Sequence, residues 1–236
     1  KPLKVINKSK KPADVQIMEK MRSKMKRCCM HPDQANCKGK IKGAHALQNN
    51  KIISLLAGSE RHVYMLNAKK KPLLIAMPNG ETIPIVELSK TSANDATTET
   101  CFCDLHDNIA FAVIEKGAPD FDETSEEMKF IYAYKAFIFE YYKQKIAFDI
   151  FRDNFKENPA IFLSLNMVGM YRMLQLKEQE FEPIKSHFDE QIMAGTFDGV
   201  VTCAIKIPEQ IRFAGYAYIA PDYDMNGKKI IHTVKG

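Results

Sequence analysis

"CFCDLHDNIAFAVIEKG", residues 101–117, is the stretch whose reading decides the fold. Cys103 and His106 stand in a C-x-x-H spacing, and after Cys103 the apolar residues recur with a helical period. One side chain then lies on the turn before a helix and the other in its first turn, so both converge on a single ion. Zinc takes four such ligands, commonly as two pairs from separate parts of a chain. The second pair is at hand in "CCMHPDQANCKGK", residues 28–40, a turn-rich stretch with the texture of a zinc knuckle, through Cys29 and Cys37. Cys28 and Cys101 compete for the thiolate positions, and His31 or His45 for one of the four places. A loop-borne pair with a pair at a helix start is the ligand plan of a treble-clef zinc finger.

Cysteine usage agrees with that plan. Five of the six cysteines fall in two clusters, and both clusters contain histidine. The opening "KPLKVINKSKKPADV" is basic and lacks the apolar core of a secretory signal, so reduced thiols around a metal are expected in a cytoplasmic chain. No apolar run approaches the about eighteen residues that a membrane span needs.

Outward from the two clusters, coarse elements can be read. "PADVQIMEKMRSKMKR" (12–27) has the spacing of an amphipathic helix, with a stripe of Val15, Met18, Met21 and Met25. "IKGAHALQNNKIISLLAG" (41–58) begins extended and becomes a short helix closed by Gly58. "RHVYMLN", "PLLIAMP" and "NGETIPIVEL" read as strands and a turn, and "SKTSANDATTET" as a polar loop. One long helix or two are predicted over 119–155, capped by Asp122 or Thr124, with Met128, Ile131, Tyr134, Ile138 and Tyr141 as the apolar stripe. Helical character continues over 159–195, broken or kinked at Pro183, and "DGVVTCAIKIPEQIRFAGYAYIAP" reads as two strands.

Charge is divided unevenly. The net charge is +5, but residues 1–72 carry 18 Lys and Arg against 4 Asp and Glu, a balance of +14. Such a half is an electrostatic footprint for nucleic acid, through attraction to phosphates and counter-ion release. Lys38, Lys40 and Lys42, between the knuckle and His45, are placed to meet phosphate. No phosphate-cradling glycine loop and no G-x-S-x-G nucleophile elbow occurs.

The order C…C, then a histidine, then an Asn-containing stretch, then C-x-x-[CH] opening a helix, resembles the HNH endonucleases. The segments "CMHP…C", "IKGAHALQNNKIISLLAGSERHVYML" and "FCDLHDNIAFAVIE" also look like a widespread group of uncharacterised bacterial proteins sharing a C…C, SH-x-x-Q, GHVY, FC-x-x-HD pattern. The resemblance covers about residues 28–142. It implies a ββα-metal core stapled by structural zinc, and metal-dependent cleavage of nucleic acid, in a setting such as bacterial defence against phage. His45 falls at the position of the general base, Asp107 at that of a catalytic Mg²⁺ or Mn²⁺ ligand, and Asn108 at that of an assistant. Ala44 departs from the pattern, because HNH enzymes usually place a metal-binding Asp, His or Glu there. His45 therefore has three readings: general base, zinc-site histidine, or packed core histidine.

The expectation is an α+β protein. A basic, zinc-binding, HNH-like treble-clef domain spans 1–118, a helical segment spans 119–195, and a β-rich portion spans 196–236. The expected function is HNH-like endonuclease action on DNA or RNA with structural zinc at Cys29, Cys37, Cys103 and His106. The rival is a non-catalytic, zinc-stabilised nucleic-acid-binding or scaffold protein. In either case the helical segment offers a surface for a homo-oligomer or a partner protein.

Overall fold

The computed structural model describes residues 27–66, 73–77, 82–85, 87–115, 117, 120–157, 159–160, 165–205, 207–209, 212–219 and 226–228. The helix predicted over 12–27 lies, but for Arg27, outside these residues. In chain order the elements are β1 (Ile41–His45), α1 (Ser54–Ala57), β2 (His62–Leu66), β3 (Leu73–Ala76), β4 (Thr82–Ile85), β5 (Leu88–Ser92), β6 (Thr98–Cys103), α2 (Asp104–Ala110), α3 (Glu126–Glu157) and α4 (Leu165–Ala194). The mixed α+β class expected from sequence is what the chain adopts: small antiparallel sheets and a Cys/His cluster in its N-terminal half, then two long helices.

The chain divides into two compact units, one of residues 1–25 and 49–96, the other of residues 26–48 and 97–236. Within the first, a π-helical turn (Asn49–Ile53) leads into α1, which Gly58 closes with φ 55°. There β2 pairs antiparallel with β5, Tyr64 opposite Lys90, and β3 pairs with β4. The polar stretch 89–100 is therefore not wholly a loop. Its ends are taken up by β5 and β6, because ladder bonds from β2 and β1 satisfy their backbone whatever their side-chain polarity.

The second unit holds the knuckle, the β1–β6 pair, α2 and the two long helices. β1 and β6 run antiparallel with Ile41 opposite Cys103 and His45 opposite Thr98, and the register shifts between Lys42 and Ala44. Cys101, Phe102 and Cys103 at the end of β6 are fully buried. Phe102 meets Phe111 edge-on at 5.0 Å, and Phe111 stacks on Tyr134 of α3 at 6.1 Å. On its other flank α3 packs against α4 through Phe130 and Phe137, both on Phe188. Contacts run from Phe130–Phe188 to Phe148–Tyr171, so the helices are antiparallel. This double contact is why α3 buries more than the single predicted stripe: Phe130, Phe137 and Phe139 are inside as well.

Three details differ from the reading of the sequence. α3 is capped by Ser125, whose Oγ accepts the Met128 N–H at 3.2 Å, while Asp122 accepts from Thr124 one turn earlier. α4 runs through Pro183 as one helix, its buried Phe181, Lys185 and Phe188 holding both sides of the proline. Finally, no strand forms among the described residues of the expected β-rich portion 196–236. The alternation there is real, but among the described residues none of this portion pairs with a strand. Tyr216 and Tyr218 instead lie on Phe139 and on Phe137 and Phe181 of the helices, with Phe213 and Ile219 exposed.

Candidate metal centre

The knuckle is closed by backbone bonds that its sequence permits. Leu105 N–H donates to the Lys38 carbonyl and Asp104 N–H to that of Lys40, clamping the loop to the start of α2. Gly39 has φ +79°, and a Cβ there would come within 2.7 Å of the Asp104 Cβ. A side chain at Gly39 would therefore push the loop off the start of α2, where Cys103 and His106 stand. Met30 N–H donates to the Cys101 carbonyl at 2.8 Å, which fixes the near end of the loop to β6.

The clamped loop and helix bring Cys29, Cys37, Cys103 and His106 together, with their four ligand atoms within 4.8 Å of one another. The sulfurs of Cys103, Cys29 and Cys37 lie 3.3, 3.4 and 3.6 Å from His106 Nδ1. A tetrahedral zinc with ordinary Zn–S and Zn–N bonds has an S···N edge of about 3.6 Å. The donor set and its spacing thus fit a metal such as zinc. Among the described residues Cys28, Cys101, His31 and His45 stand outside this group. Cys101 is fully buried, and burial pushes its thiol far up, so it stays a core residue.

Thiol electrostatics follow from the crowding. Burial raises Cys29. Desolvation, followed by the neighbouring Cys29 and Cys103, pushes Cys37 up to about 12. Burial also opposes ionisation of Cys103, but N–H bonds from His106 and Lys38 and the bonds to Cys37 and Cys29 bring it below the usual thiol value. Three thiolates this close repel one another, and a divalent cation among them removes that cost.

His31 backs the cluster without joining it. Its ring lies parallel to that of His106, with centroids 4.0 Å apart and 9° between planes, and its Nδ1 accepts the Asp33 N–H. Burial, then the neighbouring His106, pushes its pKa down to about 4, so it is a neutral stacking partner.

The residues expected to do chemistry lie along β1 and α2. His45 is the last residue of β1, half-buried, with a solvent-shielded Nε2 that has no hydrogen-bond partner. Asp107 is on α2, its side chain 14% exposed. Burial and then the charge of Glu115 raise its pKa, against the opposing pull of Lys42, Lys135 and His45. Asn108 turns its amide back onto the Asp104 carbonyl at 2.6 Å. Lys38 and Lys40 are exposed. Lys42 is not a free cation: its Nζ lies 2.9 Å from Asp104 Oδ1 and 3.8 Å from Asp107 Oδ2. Asp104 shares that lysine with Asp107.

Two residues of this neighbourhood escape sequence reading. Glu115 pairs with Lys135 of α3, whose ammonium also lies 4.8 Å from the centre of the Phe111 ring. Nothing in their spacing, twenty residues apart, signals the pair. A second, hard cation at Asp107 does not fit these side chains. Magnesium and manganese seek several oxygen ligands. The Asp107 carboxylate faces an ammonium, and Ala44, at the position where a further ligand was looked for, is a core residue at 2% exposure.

No family model, curated protein or solved structure matches the chain. Among the described residues no helix is long and apolar enough to cross a membrane.

Proposed function

We propose that this chain acts on nucleic acid, its Cys/His-bearing unit working as a zinc-stapled, HNH-like phosphodiesterase with His45 as general base. The observation that carries this reading is the Cys29–Cys37–Cys103–His106 group. A metal there ties the knuckle, the β1–β6 pair and the start of α2 into one ββα unit. The same framework puts His45, at the end of β1, within electrostatic range of Asp107 on α2. Imidazole is the side chain best suited to take a proton from attacking water near neutral pH. The +14 balance of residues 1–72, with Lys38 and Lys40 exposed, supplies attraction for phosphate. No step is routed through a catalytic magnesium or manganese ion.

A second reading is a non-catalytic nucleic-acid-binding module. It is favoured by Ala44 in the core and by the lysine on Asp107. The experiment is to incubate plasmid DNA and RNA with the zinc-loaded protein and with His45→Ala, reading binding by anisotropy and cleavage on gels. Cleavage by the wild type that His45→Ala loses while still binding supports the enzyme. Binding without cleavage supports the second reading. A protein that neither binds nor cuts nucleic acid refutes both.

A further inference from the structure

We propose that Lys42 is the resident cation of the Asp104–Asp107 face, its ammonium standing where a divalent ion would otherwise bind. The inference rests on the preceding reading only in taking this face as the one that meets phosphate. Asp104 and Asp107 are three residues apart on α2 and so share a helix face. Lys42 reaches them from the neighbouring strand, with its Nζ 2.9 Å from Asp104 Oδ1 and 3.8 Å from Asp107 Oδ2.

The surroundings leave little for a divalent ion to use. Glu115, the other carboxylate whose charge acts on Asp107, is taken by Lys135, which is itself only 4% exposed. Ala44 is packed in the core. Asp104 and Asp107 therefore already share one ammonium, and Glu115 has another. A magnesium or manganese ion at Asp107 would sit a few ångströms from Nζ and be repelled by it, with too few oxygen ligands to offset the repulsion. Lys42 is also 38% exposed, so the same ammonium can turn from Asp107 to a phosphate oxygen without crossing the core. The face then meets nucleic acid with a fixed monovalent charge, and needs no divalent ion to do so.

The test is a Mn²⁺ titration followed by electron paramagnetic resonance on the full, zinc-loaded chain at one pH. It compares the wild type, Asp107→Asn, Lys42→Gln and the double variant Lys42→Gln/Asp107→Asn. The wild type is expected to bind Mn²⁺ no better than Asp107→Asn. Lys42→Gln is expected to bind about tenfold or more tightly than the wild type, a gain the double variant loses. Lys42→Arg, which keeps the charge, is expected to stay like the wild type, and zinc content and melting temperature check that each variant folds. A wild type that holds Mn²⁺ through Asp107, or a Lys42→Gln that gains nothing, overturns the proposal. The two readings fail separately. Cleavage that vanishes without added Mn²⁺ or Mg²⁺ overturns the role of Lys42 and leaves the phosphodiesterase standing. Loss of all nucleic-acid binding overturns the phosphodiesterase, while the titration still decides Lys42.

Discussion

Cys37→Ser separates the metal from the packing. Cys29 and Cys103 are 7% and 1% exposed, so replacing either disturbs the core as well as the ligand set. Cys37 is exposed, and an exposed Cys→Ser change away from any site costs within about 0.5 kcal/mol. If Cys37 is a ligand the cost is much larger. Structural zinc contributes about 10–16 kcal/mol of apparent binding free energy in small metal-folded domains, so each of four ligands carries about 2.5–4 kcal/mol. A serine hydroxyl is not ionised at neutral pH and recovers little of it. For a chain of this length 1 kcal/mol moves the melting temperature by about 2–4 °C, which predicts a fall of about 5–16 °C. The assay is metal per chain by mass spectrometry together with melting in the presence and absence of a chelator. The wild type should hold about one zinc and lose stability with chelator, Cys37→Ser should lie part of the way down to the chelated value, and the exposed Cys203→Ser should match the wild type. A Cys37→Ser protein with wild-type metal content and melting temperature would refute the assignment, as would a wild type purified without metal.

Three further outcomes follow from the same geometry. His31 accepts a proton near pH 6.5 when unfolded but only near about 4 when folded, so its contribution is complete above 6.5 and is lost as pH falls through 4. Denaturant titrations should show the wild type losing more stability than His31→Phe as pH falls from about 7.5 to about 5; parallel acid limbs for the two proteins would contradict this. Tyr134 is fully buried and its hydroxyl has no partner, so Tyr134→Phe should be neutral or stabilising by about 1 kcal/mol, and a clear loss in the melting temperature would reveal a hydrogen bond. Phe102→Ala opens a cavity where Phe102 meets Phe111, Tyr134 and Phe139, and should cost about 3–5 kcal/mol in urea titration; a cost below 1 kcal/mol would mean that these rings are not the junction of sheet and helix.

A candidate metal centre was legible in the chain because the C-x-x-H pair sits at a helix start, where spacing brings both side chains together. What spacing could not decide was which of the neighbouring thiols and imidazoles turned inward. Cys28 and Cys29 are adjacent and turn opposite ways, while Cys101 and Cys103 share a strand period and are told apart by Cys103 standing at the end of β6 beside the start of α2, where the β1–β6 register and the Gly39 clamp bring the knuckle. The long helices were legible from their period, since burying an apolar stripe is a local demand on sequence. The described residues of 196–236 depart from the expected strands for the opposite reason. Strand formation depends on a partner elsewhere, and the alternating tyrosines found aromatic helix faces in place of a ladder.

Sequence by itself determined the elements whose chemistry is local: the two Cys/His clusters, the helical periods and the uneven charge. Tertiary structure alone decided the pairings across distance. It set Ala44 in the core, drew Lys42 onto Asp104 and Asp107, and joined Glu115 to Lys135. The physical reason is that a lysine reads the same in sequence whether it faces water, phosphate or a carboxylate. Only the approach of β1 to α2, set by strand register and the backbone clamps of the knuckle, brings the ammonium to the acid.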